Sequence, residues 1–342
     1  MGLILAPWRS RYNGRVASTT LALAGDTMLG RGVADRLAAD PSAPLVAPEV
    51  AALIADADAF VLNLECCISS RGERFPDRRK PFFFRAPPVA AERLAELGVS
   101  AVTLANNHAL DYGAVALLDT LAHLERAGIA AVGAGADDAR ARAPLVVRCG
   151  DLRVRLAAFS DHPAAYAAGP DRPGIAFADT HGALPEWVRA AARPGADADV
   201  VLATPHWGPN MTVAPTDRVR RAADALLAAG ATLIAGHSAH VFHGVAPRVL
   251  FDLGDFIDDY AVDRKLRNDL GLLWLVDLDA AGPRRIRALP LRLEYCFTRP
   301  ASASEAEWTE RRLRRQCAPF GTTVERAGAL LEILSSACAA GS

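Results

Sequence analysis

Five short apolar runs in this 342-residue chain stop at side chains that offer oxygen or imidazole donors. "LALAGD" reaches Asp26, "FVLNLE" reaches Asn63 and Glu65, and "VTLANNH" reaches Asn106, Asn107 and His108. "VLATPHWG" reaches His206, and "TLIAGHSAH" reaches His237 and His240. Such runs have the length of buried strands. A buried polar group costs free energy unless it is paired or binds something. In α/β sheets the carboxyl ends of the strands converge on the ligand crevice. The pattern therefore demands strands laid side by side with their polar ends gathered in one place.

The stretches between the runs fit this demand. Helical patterns lie near residues 45–56, 87–97, 113–127 and 216–229, and Gly98, Gly128 and Gly230 stop the last three. A further strand is expected at 129–133. Two β-rich runs within 144–160 flank Gly150 and Asp151 and predict a hairpin. The runs at 248–255, 270–279 and 284–295 read as a set of antiparallel strands, and the tail from 303 to 338 reads as helical. This mixture predicts an α/β protein with two packed mixed sheets and helices outside. One domain is expected over 19–300, with an N-terminal extension, 1–18, and a helical C-terminal extension, 301–342, packed on the core.

The donors are oxygen and imidazole, without thiolate, which suits one or two ions of Mn²⁺, Zn²⁺ or Fe. Each residue alone has a plainer use: Asp26 as a helix N-cap, His206 as a core histidine. Together they read as a metal constellation in which a carboxylate bridges two ions and a water is acidified. His108, beside Asn107, is placed to protonate a leaving group, and Asp111 to orient His108.

Composition excludes several alternatives. The formal net charge is −1, so no global field draws nucleic acid or an anionic membrane. The six cysteines form no C-x-x-C pair, which argues for reduced, buried thiols and a reducing compartment. No run approaches the ~18 apolar residues of a membrane span. The N-terminus lacks a charged n-region and a cleavage site, so a cytoplasmic chain is expected.

The stretches "GDTMLGR" (25–31), "NLE" (63–65), "ANNHALDYG" (105–113), "HWG" (206–208), "GHSAHV" (236–241) and "LGDFIDDY" (253–260) resemble the CapA family. These proteins are associated with capsule or poly-γ-glutamate synthesis and belong to the calcineurin-like metallophosphoesterase superfamily. The resemblance implies a four-layer α-β-β-α sandwich of two mixed sheets with a metal centre at the strand ends. It implies metal positions at Asp26, Glu65, Asn107, His206, His237 and His240, and a catalytic His108. Asn63 and Asn106 become contacts to the ligands or to substrate. Like other CapA proteins, the chain has "DTM" where the superfamily has D-x-H, and it departs from the family at Asp255, where "LGNF" is common. Asp255 is thus an added carboxylate for metal or for a basic substrate group. His243 stands where glutamine is often found.

The Arg-rich loop "RGERFPDRRKPFFFR" (71–85) suggests an anion clamp drawn from Arg31, Arg79, Lys80 and Arg85. Without the membrane anchor of well-known members, a small-molecule or peptide substrate is expected. The leading expectation is a metal-dependent hydrolase, a phosphoesterase. Two alternatives stand beside it: a γ-glutamyl-type amide hydrolase or transferase, and a non-catalytic accessory protein in polymer or other biosynthesis.

Overall fold

The computed structural model describes residues 19–335. The expected N-terminal extension and Cys338 lie outside the described residues. Two sheets dominate. The larger runs in the order 322–327, 330–335, 282–294, 270–279, 19–27, 59–64, 101–103, 130–132. The last four of these are parallel to one another, and the others pair antiparallel. The second sheet runs 245–246, 249–250, 233–235, 200–206, 152–160, 145–149, with a parallel centre and antiparallel edges.

Alternation along the strands explains the layers. Leu21 and Leu23 face Val154, Leu156, Val200 and Leu202 in a core between the sheets. Ala22 and Ala24 turn the other way, toward Val33, Leu37, Val50, Ile54, Leu94 and Leu117 of the helices Arg31–Ala39, Pro48–Ala55, Val89–Glu96 and Gly113–Arg126. Ala203 and Ile234 face Val188, Val219 and Leu226 of the helices Glu186–Ala191 and Asp217–Ala229. Period-two alternation on strands buried on both faces gives three cores and four layers. This is the expected α-β-β-α sandwich. Among the described residues, no helix is long and apolar enough to cross a membrane.

Two expectations are corrected. The strand Val249–Leu250 joins the second sheet parallel to Leu233–Ala235, and Asp255–Ile257 pairs parallel with Thr19–Thr27. Only 270–279 and 282–294 pair antiparallel as expected from that run. Among the described residues of the tail, the α-helix covers Ala303–Cys317, opened by a Ser302–Glu305 capping box, and a 3-10 turn at Ala318–Phe320 ends it. Residues 322–335 form a hairpin that extends the larger sheet, with Val324, Leu331 and Ile333 turned into the intersheet core. Leu331 and Ile333 sit two apart, and a strand buries that spacing on one face, as a helix does not.

Candidate metal centre

The parallel strands deliver their carboxyl ends to one site. Asp26 lies opposite both Asn63 and Asp255 on its two neighbouring strands. Its amide donates to the Gly254 carbonyl at 3.0 Å. A Cβ on Gly25 would lie 1.9 Å from the same oxygen, so only glycine permits this approach. From the second sheet, His206 ends its strand and bridges His237. His240 follows in a turn with positive φ at Ser238 (119°) and His240 (59°). Asp252 holds that turn by accepting the Ala239 amide at 2.8 Å and the Gly254 amide at 2.9 Å. The strained conformation is thus fixed by a buried carboxylate.

The donors fall into two adjoining sets. Ligand atoms of Asp26, His206 and His237 lie within 4.8 Å of one another, as do those of Asp26, Glu65, His240 and Asp255. Asp26 belongs to both. The His206 and His237 Nδ1 atoms are 2.7 Å apart, and His237 Nε2 lies 3.2 Å from Thr204 Oγ1. His240 Nδ1 lies 2.9 Å from Asp255 Oδ1 and 3.2 Å from Asp26 Oδ2.

Burial works against the His240 imidazolium, but Asp255, Glu65 and Asp26 outweigh it and raise His240 well above its ordinary range. Burial pushes the Glu65 carboxyl well above its ordinary range, and the Asp26 charge adds to it. Burial likewise raises Asp255, against the pull of His240. Burial also works against Asp26, but His240, His237 and Asn63 outweigh it and hold Asp26 low. Burial and the neighbouring His237 and His162 depress His206. Burial depresses His237 to about 4. Both Glu65 carboxylate oxygens, Asn107 Oδ1, His206 Nε2 and Asp255 Oδ2 are buried without a hydrogen-bond partner. Buried polar atoms are almost always satisfied. Unpaired acceptors of oxygen and imidazole type fit a divalent cation, which would compensate them all at once.

Beside the donors, His108 is held by Asp111, whose Oδ2 lies 2.6 Å from His108 Nδ1. Asp111 also accepts the Phe84 amide at 2.6 Å and the Tyr166 hydroxyl at 3.1 Å. Phe84 stacks on the imidazole at 4.1 Å. His108 Nε2 is left toward Glu65, 3.9 Å from Oε1.

The model of the bacterial capsule synthesis protein PGA_cap family matches residues 20–260. The chain belongs to this family. A probable polyglutamine synthesis accessory protein of Mycobacterium tuberculosis is 32% identical, over 93% of this chain and 96% of its own length. The capsule biosynthesis protein CapA of Bacillus anthracis is 25% identical, over 88% of this chain and 73% of its own. Among solved structures, a novel phosphatase from Mycoplasma pneumoniae is 13% identical, with a TM-score of 0.49 over 86% of this chain and 98% of its own.

This capsule synthesis family member gathers Asp26, Glu65, His206, His237 and His240, with His108 and Asp111 beside them, at one end of its sheets, and Asn107 precedes His108 with its Oδ1 buried and unpaired. Asn63 and Asn106 are not open to substrate. Asn63 donates to Asp26 Oδ1 at 2.7 Å, Asn106 donates to Asn63 Oδ1 at 2.9 Å, and Asn106 Oδ1 accepts the His108 amide at 3.0 Å. They are a buried chain of amides that positions Asp26 and His108. Asp255, expected at the metal or at a basic substrate group, lies among the candidate metal donors.

The expected anion clamp is not assembled. The Arg31 guanidinium is paired with Asp259, and it lies 5.1 Å from the Phe84 ring. Arg85 lies 4.1 Å from the Tyr112 ring and donates to the Arg71 and Gly72 carbonyls. Arg79 is 93% exposed, 3.6 Å from Asp77. Lys80 alone reaches the site, but its Nζ is taken by the Asn107 carbonyl at 2.7 Å and by Asp111 at 3.0 Å. Arg31, Lys80 and Arg85 hold the loop on the core, and Arg79 faces solvent.

Three site residues escaped the sequence reading. Asp258 and Tyr260 follow Asp255 and carry buried atoms without partners, Oδ2 and Oη. His162 follows "LAAFSD", a sixth apolar run ending in donors. The signal was the same as in the other five, but it was absorbed into the hairpin at 144–160.

Proposed function

We propose that this chain is a metal-dependent hydrolase of the phosphoesterase type. One observation carries the reading: two donor sets share Asp26, and a His–Asp pair stands beside them with its outer nitrogen free. The residues that would hold the metal are Asp26, Glu65, Asn107, His206, His237, His240 and Asp255, and their donor types suit Mn²⁺, Zn²⁺ or Fe. An ion of this kind supplies positive charge to a substrate oxygen and acidifies water.

The chain itself supplies proton handling and exclusion of solvent. With Asp111 accepting from Nδ1–H, His108 presents Nε2 to the leaving-group oxygen and can hold or deliver the proton there. Phe84 covers one face of the imidazole, and Lys80 offsets the Asp111 charge. Asn106 holds the His108 backbone, so that metal donors and proton donor keep one geometry.

A second reading is an accessory role in polyglutamate or capsule synthesis without turnover. What favours it is the description borne by the Mycobacterium tuberculosis relative. Hydrolysis of a γ-glutamyl-type amide would join the two readings, using the same donors on a carbonyl. Elemental analysis of wild type and His237→Ala, with assays on bis(para-nitrophenyl) phosphate, para-nitrophenyl phosphate and a γ-glutamyl anilide, separates them. Metal and phosphate-ester turnover lost together in the variant support the phosphoesterase. Metal with turnover of the anilide alone moves the assignment to the amide bond. Metal without any turnover favours the accessory role.

A further inference from the structure

The strand Leu152–Ser160 ends in Asp161 and His162, next to the strand that ends in His206. The Asp161 amide donates to the His206 carbonyl at 3.0 Å, which ties this corner to the metal centre. Asp161 is buried and saturated. Its Oδ1 lies 2.5 Å from His162 Nδ1. Its Oδ2 accepts the Gly208 amide at 3.1 Å and the Thr180 hydroxyl at 3.2 Å, and it lies 3.1 Å from the Arg218 guanidinium. An imidazole whose Nδ1 is fixed in this way keeps its ring orientation and exposes Nε2.

The His162 side chain is 33% exposed, whereas His206 and His237 are closed off. Its ring centroid lies 5.1 Å from that of His206. His162 therefore sits where the buried donors meet solvent. No atom of it belongs to either donor set. The arrangement repeats that of His108 and Asp111: an imidazole locked by a buried aspartate, one at the end of each sheet.

We infer that His162 is a substrate-contacting residue whose Nε2 grips an anionic oxygen of the substrate, phosphate or carboxylate, from the second sheet as His108 does from the first. Asp161 is its positioning residue. With Arg31, Lys80 and Arg85 paired internally, His162 is a partly exposed polar group beside the centre that can receive such an oxygen. The inference rests on the metal-centre reading above.

The test uses the full chain supplied with Mn²⁺, as wild type, His162→Ala and His162→Gln. Mn²⁺ binding and then binding of inorganic phosphate and of glutarate are followed by calorimetry. Expected is Mn²⁺ affinity within about twofold of wild type in both variants. Affinity for phosphate, glutarate or both falls roughly tenfold or more in His162→Ala, as for loss of a hydrogen bond to a charged group. The amide of His162→Gln restores part of it. The anion whose affinity falls identifies the substrate group. Unchanged affinity for both anions, with Mn²⁺ still bound, overturns the assignment and leaves the metal centre standing. Loss of Mn²⁺ in His162→Ala also overturns it and makes His162 a ligand. Wild type that binds no Mn²⁺ overturns the metal centre and this inference together.

Discussion

Asp26 and Asp255 lie in register on adjacent parallel strands, and His240 Nδ1 reaches both, at 3.2 and 2.9 Å. The carboxylate that departs from the family pattern is thus brought into the metal centre by strand pairing. Asp255 Oδ2 has no partner there. Met28, at the third position of "DTM", is fully buried, and its sulfur accepts the Gly30 amide at 3.0 Å. Asp255 offers an oxygen donor to a site whose usual histidine is absent.

Replacing that carboxylate tests its place. Asp255→Asn keeps the shape and removes the charge. Mn²⁺ affinity is expected to fall by roughly 10- to 100-fold, the scale for loss of a group that ligates or orients at a metal site. Calorimetric titration reads it directly. Unchanged affinity would remove Asp255 from the donor set.

His108→Asn should separate proton handling from metal binding. Metal content is expected to stay at the wild-type level, while kcat on an activated phosphodiester falls by roughly 10²–10⁴-fold. Asp111→Asn should lower kcat in the same direction. Loss of metal from His108→Asn would instead place His108 among the ligands.

Gly25→Ala tests the close approach beneath the site. The added Cβ would meet the Gly254 oxygen at 1.9 Å, and the strand pair must separate. A loss of about 2–4 kcal/mol in urea unfolding is expected, in the range of overpacking and strain. Gly128→Ala has free space around its Cβ, but its positive φ of 76° makes it the milder, purely conformational control.

His243 sets a pH dependence away from the donors. It is buried, its Nε2–H donates to the Thr212 carbonyl at 2.9 Å, and burial holds its imidazole down at about 4. The unfolded chain protonates this group near its ordinary pKa of 6.5, while the folded chain does not. Stability is therefore complete above 6.5 and declines as pH falls toward 4, by about 3 kcal/mol in all. Urea unfolding of wild type and His243→Gln at pH 7 and pH 5 checks this. The variant should lose less stability on acidification. Equal losses would show that other groups carry the acid response.

Much of the centre was legible in the chain itself, because strands buried on both faces must be apolar. Donors at the ends of such runs, Asp26, Glu65, Asn107, His206 and His237, stand out without any knowledge of the fold. The same rule marked His162, and only its place in an expected hairpin hid it. The second half of the tail was misread because Leu330, Leu331, Ile333 and Leu334 satisfy a helical spacing, whereas alternation buries only Leu331 and Ile333 on one face. Pairing with Ile286 and Ala288 selected the strand.

The order of apolar and polar residues, a local property, determined most of the elements, the layers and most of the donor inventory. Only the tertiary structure decided what each charge does. Arg31 meets Asp259 across 228 positions, and Lys80 meets Asp111 across 31, so an apparent anion clamp becomes internal pairing. Asp255 joins the candidate metal donors for the same reason. Charges act through distance in space, and spacing along the chain does not set that distance until the sheets have closed.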